Sequence, residues 1–393
     1  WPFAMHIVLR SLEAMPGAEC SGTLPRLRAY RSSRVFTRQP ALVVVIVGVG
    51  LVLCQLLSIS QACVLRSPSA ESSGLLMPRR DMIWQSFVSV ALAPTVAAAS
   101  SLPQATASLP PIVGLGTGGL KVATTIALAL RLGYRFLDTA AFYGNEAAIK
   151  EAIRSEVVAG RLRREDVHVT TKVWWSELGH EKTAASLEAS LQRLGLDYVD
   201  LALVHWPGRW LSQNRQENAE LRFGTWLALE AAACSGKAKA IGVSNFRECH
   251  LEETFGYCSI PPVVNQVELH PYNQHRALVR ACRDRGVQVE AYSPLAAGGM
   301  GLLQEPVLVD IAQRKGATPA QIVLRWLLQG GVVPIPKASS EKRLLENLSV
   351  QESVGPLTPP ELSAIDALER AQPCDPSAAL LGGIGLTDSR RIA

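Results

Sequence analysis

No Cys-x-x-Cys pair occurs in the 393 residues, and none of the eight cysteines stands with histidines at metal-ligand spacing. That excludes zinc-ribbon and dithiol chemistry, and no metal is expected. Of the cysteines beyond residue 100 (Cys234, Cys249, Cys258, Cys282, Cys374), most fall in or beside helical patterns, as buried thiols of a reducing compartment do. A charge surplus is missing where it would matter. The chain carries +5, but nine arginines, no lysine and four acids in residues 1–100 account for all of it, and the rest holds 30 basic and 30 acidic residues. The main body therefore offers no electrostatic footprint for nucleic acid. Also missing is a dinucleotide fingerprint: GLGTGG at 114–119 follows a strand pattern but lacks the GxGxxG spacing, and reads as a tight strand-to-helix turn.

What is present begins with a leader, residues 1–100. The first residue is Trp1, so the start of the reading frame is expected at Met5, Met15 or further upstream. Residues 41–59, ALVVVIVGVGLVLCQLLSI, have the length and apolarity of a membrane span or of the core of a cleavable signal, against the alternative of a buried core helix. The arginines that precede them would keep that end cytoplasmic or stromal. A second unit, residues 82–97, follows Arg79 and Arg80 and leads to Ala97-Ala98-Ala99-Ser100, a signal-peptidase pattern. The arginine pair resembles a twin-arginine translocation signal of the kind that follows a plastid transit peptide. The expectation is organelle targeting, with a plastid as one candidate, or membrane association through an anchor; without the leader the chain would be cytoplasmic.

From about residue 109 to 370 the pattern becomes regular. Eight apolar runs (111–116, 134–138, 167–173, 198–206, 238–246, 263–269, 287–293, 332–336) alternate with amphipathic helices, including 122–132, one starting near Asn145, and 221–235. Near-continuous apolar strands separated by helices imply a parallel sheet covered on both faces. Eight such units in some 260 residues predict closure into a (β/α)8 barrel rather than an open doubly wound sheet. Residues 371–393 form a Gly-rich tail.

The strands end in a selective set of polar residues. They are Asp138 and Tyr143, Lys172, His205, Ser244 and Asn245, Gln266, Tyr292 and Ser293, and Lys337. In a closed barrel these converge on one face. A lysine on an apolar strand must be paired, and Asp138 on the adjacent strand is the natural partner for Lys172. A cation beside a phenol is expected to draw the Tyr143 pKa down from about 10. His205 could orient a substrate oxygen, and the set suits reduction of a carbonyl or oxidation of an alcohol. Each residue has a plainer reading, as a structural ion pair, a core histidine or a turn cap; their occurrence at the mouths of consecutive strands favours a site. His180, His250 and His275 have no evident partners, and His270 is read as structural. A metal-dependent hydrolase is disfavoured, since no strand end groups three His or carboxylate ligands.

The stretches GYRFLDTAAFYGNE, TTKVWW, LGLDYVDLALVHWPG, GKAKAIGVSNF, NQVELHPY, AYSPL and VVPIPKASSEKRLLENL resemble, in order, the aldo-keto reductase family, specifically its monomeric NADPH-dependent aldehyde and aldose reductases. The resemblance implies a (β/α)8 barrel, a catalytic tetrad of Asp138, Tyr143, Lys172 and His205 with Tyr143 as the acid, a small-molecule carbonyl substrate, and NADPH or NADP+ as cofactor. It implies cofactor contacts from Gly116 and Thr117, from Ser244, Asn245 and Gln266 to the carboxamide, from Tyr292 to the ring, and from Ser293 and Leu295 along the pyrophosphate. Lys337, Ser339, Ser340 and Arg343 would hold the 2'-phosphate, with Glu346 and Asn347 near the adenine. Ala338 departs from the Ser or Thr that commonly follows the lysine, shifting a phosphate contact toward Ser339. The tail does not resemble the long substrate-covering loop of the animal enzymes. A cofactor-binding regulatory barrel, similar to potassium-channel β subunits, is the alternative.

Overall fold

A computed structural model describes residues 113–374 apart from 210, 211 and 213. The leader, with its candidate spans at 41–59 and 82–97, and the tail from 375 lie outside the described residues. Among the described residues no helix is long and apolar enough to cross a membrane.

Eight strands pair in chain order, all parallel: β1 (Leu115–Gly116), β2 (Phe136–Asp138), β3 (His168–Val173), β4 (Val199–Val204), β5 (Ala238–Ser244), β6 (Val264–Glu268), β7 (Gln288–Tyr292) and β8 (Val333–Ile335). The seam between β8 and β1 is joined where the Gly114 N–H donates to Pro334 O at 3.0 Å and the Gly116 N–H to Pro336 O at 3.1 Å. A Cβ on Gly116 would stand 2.9 Å from the Ile335 carbonyl oxygen, so this close approach requires glycine. The (β/α)8 barrel expected from the sequence is the fold. Several strands are shorter than their apolar runs, β1 most of all, because residues past each end belong to connecting turns.

The helices facing the barrel include α1 (Ala123–Leu132), α2 (Glu146–Val158), α3 (His180–Leu194), α4 (Arg215–Cys234), α5 (Glu248–Phe255) and α6 (Arg276–Asp284). Between β7 and β8 lie α7 (Pro306–Lys315) and α8 (Pro319–Gln329), and after β8 come α9 (Glu341–Leu348), α10 (Val350–Ser353) and α11 (Pro359–Asp366). Their ends follow local chemistry. Thr318 and Thr358 accept from the third-residue N–H of α8 and α11, each with proline in the first turn. Helix α4 starts six residues before its apolar pattern, because the Asn214 side chain accepts from Glu217 N and caps a polar first turn.

Inside the barrel, Leu201, Leu203, Ala240 and Val264 form a cluster of their own. Side chains alternate along a strand, so Leu203 shares its face with His205, and Val264 with Gln266. An apolar floor therefore lies directly beneath the polar mouth.

Candidate active site

β2 delivers Asp138 to the mouth, the turn Ala141–Tyr143 delivers Tyr143, β3 delivers Lys172, and His205 follows β4. The Lys172 ammonium donates to Asp138 Oδ1 and Oδ2, both at 2.7 Å, and to Thr139 O at 2.9 Å. Tyr143 Oη lies 3.5 Å from Lys172 Nζ. Lys172 is 1% exposed, so this is a buried, fully hydrogen-bonded pair. Burial alone would lower the Lys172 pKa, but Asp138 and Tyr143 outweigh it, and the net shift is upward from 10.5.

The expectation for Tyr143 needs correcting. Its pKa is raised from 10.0, because burial outweighs the lowering by Lys172, and Asp138 adds to the rise. The phenol is a protonated donor at neutral pH, with the ammonium offsetting part of its desolvation. His205 is also buried, and burial followed by the Lys172 charge pushes it well below 6.5. It is a neutral imidazole, its Nδ1 without a hydrogen-bond partner among the described residues. Its ring stands edge-on to Tyr143 and to Trp174, with centroids 5.9 and 4.9 Å away.

Residues that sequence reasoning passed over hold this arrangement. The Asn145 amide donates to Thr117 O at 2.8 Å and to Leu120 O at 3.0 Å, and accepts from Thr139 Oγ1 at 2.7 Å. Glu146, 1% exposed at the first position of α2, accepts from Thr171 Oγ1 beside Lys172 and pairs with Arg193. Phe142 stacks on Trp174 at 3.8 Å and forms an aromatic wall at the mouth. The paired tryptophans of TTKVWW were the available signal for that wall.

The expected cofactor residues are placed as follows. Ser244 Oγ donates to Gln266 O at 2.8 Å. Asn245, at φ 61°, donates to His205 O at 3.0 Å and accepts from the Tyr292 hydroxyl at 2.9 Å. Ser293 also has positive φ, 46°, and strain of this kind concentrates at functional loops. Gly116 is half-buried, whereas Thr117 is buried with its hydroxyl donated to Asp138 O, and so braces the β1 mouth. Leu295 is half-buried in the turn after β7. Lys337, Ser339, Ser340 and Arg343 are exposed around the N-terminus of α9, and among the described residues neither cation has an ion-pair partner. Free cations beside hydroxyls and helix N–H groups form a cradle that fits a phosphate. Glu346 accepts from Thr318 Oγ1, and Asn347 is buried beside the Tyr134 hydroxyl.

A cleft of about 600 Å³ opens beside Asn245 and Tyr292, lined also by Trp206, Val267 and Arg247. Glu268, which lines it, His270 and Cys374 bring ligand-type atoms within 4.8 Å of one another, a grouping that sequence spacing did not foresee because Cys374 lies in the tail. Glu268 Oε1 already takes a hydrogen bond with His270 Nε2 at 3.0 Å and accepts from the Cys374 N–H at 2.5 Å. His250, expected to have no partner, accepts at Nδ1 from the Arg247 N–H.

A family model described as the aldo/keto reductase family matches residues 120–370. An uncharacterized oxidoreductase YtbE of Bacillus subtilis is 44% identical over 262 residues, covering 66% of this chain and 89% of its own length. The glyoxal reductase of the same organism is 41% identical over 271 residues, covering 68% and 92%. Among solved structures, a Bombyx mori aldo-keto reductase in complex with NADP superposes with a TM-score of 0.62 at 32% identity, covering 68% and 92% of the two chains.

Proposed function

The chain belongs to the aldo/keto reductase family, and we propose that it reduces aldehydes and ketones to alcohols with NADPH, on small-molecule substrates and as a monomeric barrel. The observation that carries this reading is the convergence of a protonated Tyr143, its Lys172–Asp138 support and a neutral His205 at one barrel mouth. The glyoxal reductase and the NADP-bound relative support it from outside.

Bound NADPH supplies a hydride. The residues of this chain do the rest. Ser244, Asn245 and Gln266 would bind the carboxamide and Tyr292 the ring, with Gly116, Thr117, Ser293 and Leu295 beside them. Lys337, Ser339, Ser340 and Arg343 would hold the 2'-phosphate, with Glu346 and Asn347 toward the adenine. His205 donates a hydrogen bond to the carbonyl oxygen and fixes its direction toward Tyr143. The Tyr143 hydroxyl gives its proton to that oxygen as charge develops there, and the Lys172 ammonium stabilises the phenolate left behind. Asp138 keeps Lys172 charged and takes no part in proton transfer. Apolar surroundings under Trp174 and Trp206 limit water at the reacting oxygen.

Turnover of a panel of aldehydes with NADPH, followed by loss of nicotinamide absorbance, tests the assignment; cofactor binding without turnover would favour the regulatory barrel instead. The phosphate cradle has its own test. Lys337→Ala is expected to raise the NADPH dissociation constant about tenfold, the scale of one charge-assisted hydrogen bond, and to leave NADH nearly unchanged. Equal losses for both cofactors would remove the phosphate role.

A further inference from the structure

One buried acid on β7 has no task in the reaction described above. Glu290 is fully buried, opposite Gln266 on β6 and Val333 on β8. Its Oε2 accepts from Gln266 Nε2 at 3.0 Å, and among the described residues its Oε1 has no hydrogen-bond partner. The same Gln266 nitrogen donates to Asp138 Oδ1 at 2.8 Å. An amide nitrogen has two hydrogens, and here both go to carboxyl oxygens. The Gln266 amide is thereby fixed with its nitrogen toward the two acids and its oxygen turned away from them, since a flip would set the amide oxygen against Asp138 Oδ1 and take the donor away from Glu290 Oε2.

We propose that Glu290 is a positioning residue, which holds the Gln266 amide in the orientation that presents its oxygen to the cofactor carboxamide and places a second carboxyl group beside the Asp138–Lys172 pair. The proposal rests on the NADPH reading above. Burial pushes Glu290 up to about 8, the Gln266 hydrogen bond partly opposes this, Asp138 adds to the rise and Lys172 opposes it. The groups that reach it are Gln266 on β6, Asp138 on β2 and Lys172 on β3, while β8 offers Val333 and Ile335, which do not titrate. At pH 7 Glu290 is neutral, and Asp138 and Lys172 cancel. Above about pH 8 the barrel interior gains a net negative charge. An oxidised nicotinamide is positively charged and a reduced one is not, so that negative charge favours NADP+ over NADPH.

The test is cofactor affinity of the full chain by fluorescence titration between pH 6.5 and pH 9.5, for wild type, Glu290→Gln and Glu290→Leu. The ratio of the NADP+ to the NADPH dissociation constant is read, because titration of the 2'-phosphate is common to both and cancels. In wild type the ratio is expected to fall about three- to tenfold across this range, as one partly screened unit charge would give. Glu290→Gln keeps an acceptor for Gln266 but cannot ionise, so the ratio should become flat with affinities near wild type at pH 7. Glu290→Leu releases the amide and should weaken both cofactors. A Glu290→Gln ratio that still follows the wild-type curve would overturn the proposal and leave the NADPH reading intact. Failure of the wild type to bind either cofactor would overturn both.

Discussion

Replacing Tyr143 with phenylalanine is expected to lower kcat for aldehyde reduction by about a thousandfold or more, within the range that a positioned general acid contributes, and to change the NADPH dissociation constant by less than about twofold. The substitution removes one oxygen. That oxygen sits 3.5 Å from Lys172 Nζ, where the buried cation can stabilise the phenolate. None of the groups assigned to the cofactor loses a hydrogen bond. Single-turnover loss of NADPH absorbance and a fluorescence titration measure the two quantities, and retained turnover within tenfold of wild type would remove Tyr143 as the acid. The pH profile carries the same information. Burial raises Tyr143 above 10.0, with Lys172 offsetting part of the rise, so the limb due to loss of its proton belongs on the alkaline side of 10.0. His205, lowered well below 6.5 by burial and then by Lys172, gives no limb near neutrality. Reduction should therefore show no titration of either residue between pH 7 and pH 9.

The parts of this site that were legible in the sequence are those that break an apolar pattern. Lys172 stands out within HVTTKV, and an ammonium ion there needs an anion one strand away, which Asp138 supplies. The eight-fold alternation gave the barrel for a similar reason, because a strand buried on both faces cannot be polar. What depends on three-dimensional burial was not legible. The direction of the Tyr143 shift turns on desolvation against a charge, and sequence spacing reveals the charge alone. Asn145 and Glu146 look like the solvated first turn of a helix, yet both are buried and tie β1, β2 and β3 together. Glu290 was passed over because β7 also carries Gln288 and Tyr292, so a single acid does not stand out there as Lys172 does in β3.

Asp138→Asn should destabilise the fold by about 3–5 kcal/mol at neutral pH, the usual cost of leaving one member of a buried pair without the other. The asparagine keeps the shape and an acceptor oxygen, so the loss isolates charge. Against a typical stability of about 5–15 kcal/mol the effect is large, and chemical denaturation at pH 7 measures it. Its pH dependence identifies the group responsible. In wild type the folded Lys172 pKa lies above 10.5, so its contribution is complete below 10.5 and lost only as pH rises through the folded value. Without Asp138 the largest remaining influence on Lys172 is burial, which lowers its pKa. The folded variant then binds fewer protons than the unfolded chain over the interval below 10.5, and its stability should rise with pH there. Glu290, with a folded value of about 8 against 4.5, gives both proteins a slope of opposite sign, since the stability tied to its proton is lost as pH rises through that range. Asp138 adds to that rise, so the comparison is made in a Glu290→Gln background, where the difference between the proteins with and without Asp138 is free of the Glu290 slope. A deficit that shrinks from pH 6 to pH 9 places the cost on the stranded ammonium, and a constant deficit would assign it to packing and remove the charge-support role of Asp138. Lys172→Met combined with Asp138→Asn completes the cycle. The double variant should be less destabilised than the two single losses together, because no uncompensated charge remains in the barrel.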